Sequence, residues 1–321
     1  MVKGAFGPGK EFTLKYFGLV LSSPLLREAV INSLLLAGIT TILTTLLTLP
    51  MAHVMTRYDF RGKSILNSLL LVPMIMPPFV GAIGIRQILA KFGSLNLTLM
   101  KLGILAPDHP INWLAEGGFW GVVLLQVLGL YPILFLNLSA SMANVDPTLR
   151  EAAQNMGANG WKIFRTVTLP LILPGYFAGA IIVFIWSFTD LGTPLVFGFS
   201  RLVPVQIFDA ITELNTNPVG YALVVFVLVL TVVLFVISKH LLASKRYESM
   251  ARGHATGGSV TVRGKKALFL WLGVGGVVLL AVSPHLAVVI QSLAQKWFFT
   301  ALPTEWTVGY YKEVTQYGLT A

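Results

Sequence analysis

The sequence contains no cysteine at any position. This absence excludes disulfide bonds, thiolate metal sites and cysteine nucleophiles from its structure and chemistry. Charged residues are also scarce, at 11% of the chain, whereas apolar residues make up 55%. Because so few charges cannot cover a water-facing surface, we expect most of the surface to face lipid.

Acidic residues are fewer than basic ones, which leaves a formal net charge of +10. In a soluble protein this excess would suggest nucleic-acid binding. In a membrane protein it is explained by basic cytoplasmic loops, as the positive-inside rule predicts. We therefore expect membrane lipid, and no nucleic acid, as a partner of this chain.

Long apolar runs are abundant. Six segments reach the length of about 20 residues that a helix needs to cross the hydrocarbon core of a bilayer. They are Leu34–Met55, Ile65–Ile85, Phe119–Met142, Leu169–Phe188, Val219–Ser238 and Leu268–Leu293. These runs predict an all-α fold, a polytopic bundle of transmembrane helices.

Basic residues concentrate in alternate loops between these segments. The first, third and fifth loops hold Arg57, Arg61, Lys63, Arg150, Lys162, Arg165 and the basic stretch from Lys239 to Lys266. The second and fourth loops carry more acidic than basic residues. The odd loops are therefore predicted to be cytoplasmic, with both chain ends outside.

The third loop has the local signals of a short helix, a turn and a second helix. Asp146 is a good N-cap, and Pro147 suits the first helical position, where no N–H is needed. Gly157 stands where a helix needs a left-handed terminating residue, and Asn159 is placed to cap the next helix. These signals predict a rigid, partly apolar projection that suits docking to another protein.

The same loop resembles the inner-membrane permeases of binding-protein-dependent ABC importers. The signature of that family is Glu-Ala-Ala, three residues, Gly, nine residues, Ile, any residue and Leu-Pro. The matching residues here are Glu151, Ala152, Ala153, Gly157, Val167 in place of Ile, Leu169 and Pro170. The resemblance covers roughly residues 29–240 and implies the type I permease fold with a cytoplasmic coupling helix.

The resemblance also implies the surroundings of the chain. The ATPase-coupling residues would be Glu151, Ala152, Ala153, Gly157 and Pro170, received by an ATP-binding cassette subunit present in two copies. An extracytoplasmic substrate-binding protein and a second permease unit, fused or separate, would complete the importer. The expected location is the bacterial inner membrane, which the chain would cross several times.

Nothing in the sequence indicates an enzyme active site. Gly4–Glu11 nearly fits a phosphate-binding loop, but Glu11 replaces the hydroxyl residue that would bind magnesium, and no apolar strand precedes it. The five histidines are too scattered for a metal motif. We therefore expect no catalytic residue, metal or cofactor on this chain, and ATP and magnesium on the partner subunit.

Polar residues near membrane depth are candidates for lining the pathway, because burying them in lipid is costly. Gln126 lies in the third span, Thr189 and Asp190 close the fourth, and Arg86 ends the second. An interfacial position with the side chain reaching water is the alternative for Arg86 and Asp190. Three prolines in the second span, Pro73, Pro77 and Pro78, predict a bent helix with an unwound centre.

The chain is expected to hold one complete permease unit and part of another. The predicted regions are an extracytoplasmic segment (1–28), a permease unit (29–242) with its coupling loop (143–168), a basic cytoplasmic linker (243–266) and the first helix and outer segment of a second, truncated unit (267–321). Trp306–Val314 loosely echoes Phe12–Val20, as tandem transporter halves do. Chance similarity over nine residues is the alternative.

The cargo is only weakly encoded in such a permease. The stretch Thr189–Val196 resembles one in the ferric-iron and related small-anion permeases, so iron(III) is the first expectation. Organophosphonate, sulfate, thiamine and polyamine importers are alternatives within the family. An ion-gradient-driven transporter and a membrane scaffold that recruits a soluble partner are alternatives outside it, although the former would place more ionisable residues at mid-membrane.

Overall fold

A computed structural model of the chain describes residues 15–114, 118–212, 219–243 and 260–317. Helices dominate these stretches, which confirms the all-α prediction. The near-match to a phosphate-binding loop at residues 4–11 lies outside the described residues, as does most of the predicted linker.

The first half of the chain is a series of helices of very different length. In order they are α1 (Lys15–Ser22), α2 (Pro24–Arg57), the short strand β1 (Tyr58–Asp59), α3 (Lys63–Leu69), a 3₁₀ turn (Val72–Met74), α4 (Pro78–Leu89), α5 (Ser94–Lys101) and α6 (Phe119–Ala143). The second half continues with α7 (Pro147–Asn155), α8 (Gly160–Ile163), a π-helical turn (Phe164–Thr168), α9 (Leu169–Thr189), α10 (Gly192–Phe197), α11 (Val203–Thr212) and α12 (Val219–Ala243). The last elements are β2 (Val260–Thr261), α13 (Lys265–Ser292), β3 (Ala294–Lys296), β4 (Glu305–Trp306) and α14 (Gly309–Tyr317).

Five described helices are long and apolar enough to cross a membrane: α2, α6, the run from Gly160 to Thr189, α12 and α13. The second predicted span differs from the prediction, because it is not one kinked helix. Its two parts, Lys63–Met74 and the run beginning at Pro78, meet at an angle of 99°. If the two parts count as one span, the described residues contain six candidate crossings, the number that the sequence predicts.

The break follows from the proline positions. Pro73, Pro77 and Pro78 have no N–H to donate, and each restricts the residue before it, so an α-helix cannot continue through residues 73–78. The chain instead forms the 3₁₀ turn and restarts with Pro78 at the first position of α4. The second span is therefore a broken helix, and backbone groups at its centre lack the hydrogen bonds of a continuous α-helix.

Helix α6 lies at the centre of the bundle. It packs against α2 on one side and α9 on another, and two-thirds of its most apolar stretch is buried. Tyr131, Leu134 and Leu138 on this helix are fully buried in the largest apolar cluster, which also takes in residues from α2, α9 and α13. Packing against α6 therefore determines where α2, α9 and α13 lie.

The odd-numbered loops meet at one end of the bundle. Strand β1, in the first loop, pairs in parallel with β2, in the fifth. Arg57 from the first loop and Arg150 from the third line the same pocket. At the other end, Arg201 forms an ion pair with Glu28 at 2.7 Å. This grouping agrees with the alternation of basic and acidic loops in the sequence.

Helix α13 packs closely against α4, the second part of the broken span. Gly84 of α4 lies against the backbone carbonyl of Pro284, with no room for a Cβ, and Gly81 lies beside the ring of His285. Near the start of α13, Trp271 Nε1 donates to the carbonyl of Arg61 at 3.1 Å. Small residues at such a contact let two helices approach closely, as is usual in membranes.

Candidate coupling segment and translocation cavity

The segment between α6 and α9 has the local geometry that the sequence predicts. Asp146 caps α7 by accepting from the backbone N–H of Thr148 at 2.9 Å and from its hydroxyl at 2.8 Å. These two hydrogen bonds lower the pKa of the Asp146 carboxyl. Asn159 caps α8 by accepting from the N–H of Lys162 at 2.8 Å. The N-terminus of each of the two helices is therefore capped by a short polar side chain.

Gly157 ends α7 in the left-handed region, with φ of +77°. Its N–H donates to the carbonyl of Gln154 at 2.8 Å, and the N–H of Ala158 donates to that of Ala153 at 3.0 Å. These bonds satisfy carbonyl groups that the end of a helix would otherwise leave unpaired. The predicted helix, left-handed glycine and second helix are confirmed.

The coupling segment, defined as Asp146–Phe164, presents apolar side chains to solvent. Met156 is 81% exposed and Trp161 is 70% exposed. Trp161 is held by stacking on Phe164, with the ring centroids 5.8 Å apart. Exposed apolar groups on a rigid segment are typical of a protein-binding surface.

The signature residues divide between the two faces of α7. Glu151 and Ala152 are exposed, Ala153 is buried against the bundle, and Gly157 is exposed at the turn. Pro170 lies half-buried in the first turn of α9, directly after the π-helical turn. Because Pro170 has no N–H, the carbonyl of Thr166 loses its α-helical partner, which favours the wider turn there. The structure thus places four signature residues on the coupling segment and Pro170 where it joins the membrane helix.

A cavity of about 260 Å³ lies between α4, α6 and α9. Its wall is mostly apolar and includes Pro78, Leu125, Gly129, Leu130 and Trp186. Three of the sequence candidates, Gln126, Thr189 and Asp190, also line it. A second apolar pocket shares part of this wall and extends to His285 on α13.

Gln126 is the centre of a buried hydrogen-bond network. Its Oε1 accepts from the hydroxyl of Thr40 at 3.2 Å and from that of Ser187. Its Nε2 donates to Asp190 Oδ2 at 3.2 Å and to the carbonyl of Ser187 at 3.3 Å. The amide thereby ties α2 and α6 to the end of α9, and its polar atoms are satisfied within the bundle.

The other candidates have different surroundings. Asp190 also accepts from the N–H of Gly192, the first residue of α10, at 3.1 Å. Thr189 is exposed, and its hydroxyl donates to the carbonyl of Ile185 at 2.8 Å. Arg86 is exposed and donates to the carbonyl of Val196 at 3.3 Å, away from the cavity wall. The structure therefore brings Gln126, Thr189 and Asp190 together and leaves Arg86 apart.

Some residues of this site were not singled out from the sequence. Thr40 and Ser187 are polar residues within apolar spans, a signal that could have identified them as Gln126 was identified. Gly129 and Trp186 carry no such signal, because glycine and tryptophan are common in membrane helices. Only the packing of α6 against α9 places them at the cavity.

Among the residues that the structure describes, no group of three or more His, Asp or Glu side chains is arranged to hold a metal ion. The polar groups of the cavity are one amide, one hydroxyl and one carboxylate.

Comparison with known proteins identifies the family. Residues 44–247 match the family described as "Binding-protein-dependent transport system inner membrane component". The chain is 29% identical over 235 residues to the ferric transport system permease protein FbpB of Actinobacillus pleuropneumoniae, a match that covers 71% of this chain and 33% of that protein. It is 28% identical over 205 residues to the molybdenum transport system permease protein ModB of Haemophilus influenzae, covering 61% and 84% of the two chains.

A further relative is the spermidine/putrescine transport system permease protein PotC of Escherichia coli, 28% identical over 230 residues that cover 71% of this chain and 79% of that one. The chain thus spans about a third of the length of the ferric relatives it matches.

Among solved structures, the fold is similar to a bacterial ABC transporter involved in the import of the acidic polysaccharide alginate. The TM-score is 0.61 at 17% identity, over 76% of this chain and 88% of that one. The family match covers more than half of the chain and takes in both the coupling segment and the cavity. This chain therefore belongs to the inner-membrane permease components of binding-protein-dependent ABC importers, and it is a multi-pass membrane protein.

Proposed function

We propose that this chain forms one side of a translocation pathway and couples it to ATP hydrolysis on a separate subunit. One observation carries the proposal. A continuous helical run from Gly160 to Thr189 has the coupling segment at its cytoplasmic end and the cavity-lining Trp186 and Thr189 at its other end. A force applied to the coupling segment would therefore reach the cavity through one continuous helical run.

The coupling segment is the proposed docking site for an ATP-binding cassette subunit, two copies of which would serve the importer. Exposed Ala152 allows close approach, Glu151 offers a carboxylate to a basic group, and Gly157 sets the direction of the turn. Ala153 fixes α7 to the bundle from its buried side. ATP and magnesium would bind to the partner, whose closure would move α7 and, through Pro170 and α9, the cavity wall.

The cavity beside Gln126 is the proposed section of the pathway. A mostly apolar wall with a few convergent polar groups is typical of a small-solute site. Thr189 and Asp190 would offer oxygen atoms to the solute, and Gln126 would hold Asp190 in place. Arg86 lies apart from the cavity and would act only at the outer rim.

Iron(III) is the proposed cargo. The ferric transport relatives and the carboxylate of Asp190 support it, because carboxylate oxygens are suitable ligands for hard cations. Relatives named for molybdenum and for spermidine/putrescine transport have comparable identity, so cargo is tested separately from coupling. An extracytoplasmic binding protein, as the family description indicates, would deliver the solute.

We also infer that α13 opens a second permease unit. In the sequence echo, Lys15–Val20 aligns with Gly309–Val314, and both stretches are helical, in α1 and α14 respectively. The described parts of the two echo segments therefore have the same, helical, structure. The close packing of α13 against α4 would hold the second unit against the first.

Uptake by Gly157→Pro tests the coupling assignment in the full natural chain with its own partners. Proline cannot adopt a φ of +77° and would remove the N–H bonded to Gln154, so we expect uptake to be lost while membrane insertion is kept. Gly103→Pro is the matched control. Gly103 also has a positive φ (+71°) and an N–H bonded to a helix carbonyl, but it lies outside the coupling segment.

The same preparations separate coupling from cargo. A stoichiometric ATPase that co-purifies with wild type and loses its activation in Gly157→Pro supports the coupling assignment, whichever solute is carried. Radioactive iron, molybdate and spermidine are then compared as substrates in energised vesicles. Wild-type uptake by Gly157→Pro would contradict the coupling assignment, and uptake that survives ATP depletion would favour an ion-gradient transporter.

A further inference from the structure

A small basic pocket lies behind the coupling segment. It is enclosed by the cytoplasmic end of α2, the inner side of α7 and the beginning of the helical run from Gly160. The polar side chains that line it are those of His53, Arg57, Arg150, Gln154 and Thr168. No acidic residue is among the described residues that line it.

Arg57 is the last residue of α2 and reaches into this pocket. Its Nε is buried, and no described group accepts a hydrogen bond from it. Its guanidinium lies over the ring of Tyr58, with Cζ 5.7 Å from the ring centroid, which holds the side chain in place. A buried N–H donor without an acceptor is uncommon in a folded protein and indicates a missing partner.

Arg150 faces Arg57 from the coupling helix. Burial, and then the positive charge of Arg57, lower the pKa of the Arg150 guanidinium. The two like charges therefore lie close enough to repel each other across the pocket. Neither forms an ion pair with any described residue. Both remain charged, because arginine does not lose its proton under ordinary conditions.

Two neighbouring side chains complete the pocket. The ring of His53 lies one helical turn before Arg57 and is held edge-on against Phe164, with the centroids 5.8 Å apart. The amide of Gln154 enters from α7, one turn after Arg150. The ring and the amide can each donate an N–H, so four side chains that line the pocket can act as donors.

We propose that this pocket binds a phosphoryl group through Arg57 and Arg150. Planar guanidinium groups match the oxygens of phosphate, and an anion between them would remove their repulsion and satisfy the buried Nε. The free space is only about 10 Å³, enough for one oxygen to enter while the rest of the group stays at the mouth. The phosphoryl group belongs either to an anionic lipid headgroup or to free phosphate.

The bound group would tie the coupling helix to the membrane domain. Arg57 ends a membrane-spanning helix, and Arg150 belongs to α7, so one anion would bridge the two elements. Basic pockets at the cytoplasmic ends of membrane helices are positioned to meet anionic headgroups. The position of the coupling segment would then depend on the lipid or phosphate around the protein.

Thermal unfolding of the full natural chain in neutral detergent tests the site, since a ligand that binds the folded state raises the unfolding temperature. One series adds inorganic phosphate against chloride of equal ionic strength. The other adds short-chain phosphatidylglycerol against phosphatidylcholine of the same chain length. We expect a saturable rise that Arg57→Gln and Arg150→Gln weaken by about tenfold or more in apparent affinity.

Arg61→Gln is the matched control, because it removes a basic charge from the same loop but outside the pocket. Its apparent affinity should stay within about twofold of wild type, as expected for an exposed charge. Arg57→Lys keeps the charge without the planar fork, so it should bind more weakly than wild type while folding normally.

The two additive series identify the source of the phosphoryl group. A response to phosphate supports a free oxyanion, and a response to phosphatidylglycerol alone supports a headgroup. No saturable response in wild type would overturn the proposal, as would equal responses in Arg57→Gln and Arg61→Gln. It would also be overturned if the ATP-binding subunit abolished the wild-type response, because a partner carboxylate would then occupy the pocket.

Discussion

The hydroxyl of Tyr131 donates a hydrogen bond of 2.9 Å to the backbone carbonyl of Leu70. Tyr131 is fully buried on the central helix α6, and Leu70 is the C-cap residue directly after α3, before the break in the second span. In lipid a carbonyl at such a break has no water to bond. Tyr131 therefore donates to a backbone carbonyl that the break at the prolines leaves without a helical partner.

Replacing Tyr131 with Phe should destabilise the folded chain. The ring still fills its space, but the Leu70 carbonyl loses its donor, which typically costs about 1–3 kcal/mol for a buried group. Thermal unfolding in detergent measures the change. Tyr176→Phe is the control, since the hydroxyl of Tyr176 is only partly buried, 3.3 Å from that of Thr45. Equal unfolding temperatures for the two variants would contradict this role of Tyr131.

Replacing Gly84 with Ala should weaken the packing of α13 against α4. A Cβ at this position would meet the carbonyl of Pro284, which is backbone and cannot rotate away. We expect destabilisation of about 1–3 kcal/mol, as for other overpacked sites. Gly276→Ala is the control, because a Cβ there meets nothing within 4 Å. If both variants unfold at the wild-type temperature, α13 does not pack on α4 as described.

Replacing Gly129 with Leu should block the cavity without unfolding the protein. A Cβ at Gly129 meets nothing within 4 Å, and the larger side chain would extend into the cavity that Gly129 lines. We expect uptake to fall at least tenfold at a near-wild-type unfolding temperature. Gly273→Leu adds the same side chain at an exposed position on α13 and should leave uptake unchanged. Normal uptake by Gly129→Leu would exclude this cavity from the pathway.

Replacing Asp146 with Ala should destabilise the first turn of α7. The amides at the start of α7 would exchange hydrogen faster, whereas Asp146→Asn, which can also cap, should stay close to wild type. The pKa of Asp146 is lowered in the folded chain, so its capping contribution is present above the ordinary aspartate pKa. It is lost as the pH falls through the folded-state pKa. Hydrogen exchange measured by mass spectrometry checks both statements, and equal rates in the Ala and Asn variants would contradict them.

The coupling segment was predictable almost residue by residue because its structure is encoded locally. A cap such as Asp146 or Asn159 acts on N–H groups two or three residues away, and the left-handed turn at Gly157 requires only glycine. The second span was predicted less well. Its prolines indicated a bend, but the 99° angle depends on α6 and α13, which receive the two parts.

The site in the membrane was only partly predictable. Gln126 was identifiable because an amide within an apolar span is costly unless it has partners. Its partners Thr40 and Ser187 lie on two other helices, 86 and 61 residues away in sequence. Helices that are apolar on all sides do not reveal which face meets a neighbour. Arg86 illustrates the limit, since its place beside Val196 follows from how α10 lies against α4.

The sequence by itself determined the membrane class, the division of the loops into basic and acidic sets and the shape of the coupling segment. Each follows from composition, from charge counted along the chain or from caps that act over a few residues. The tertiary structure decided the cavity, the Gln126 network, the packing of α13 against α4 and the proximity of Arg57 to Arg150. These depend on contacts between distant helices, and in lipid such contacts are selected by close packing and polar satisfaction rather than by hydrophobicity, so a hydrophobic pattern cannot specify them.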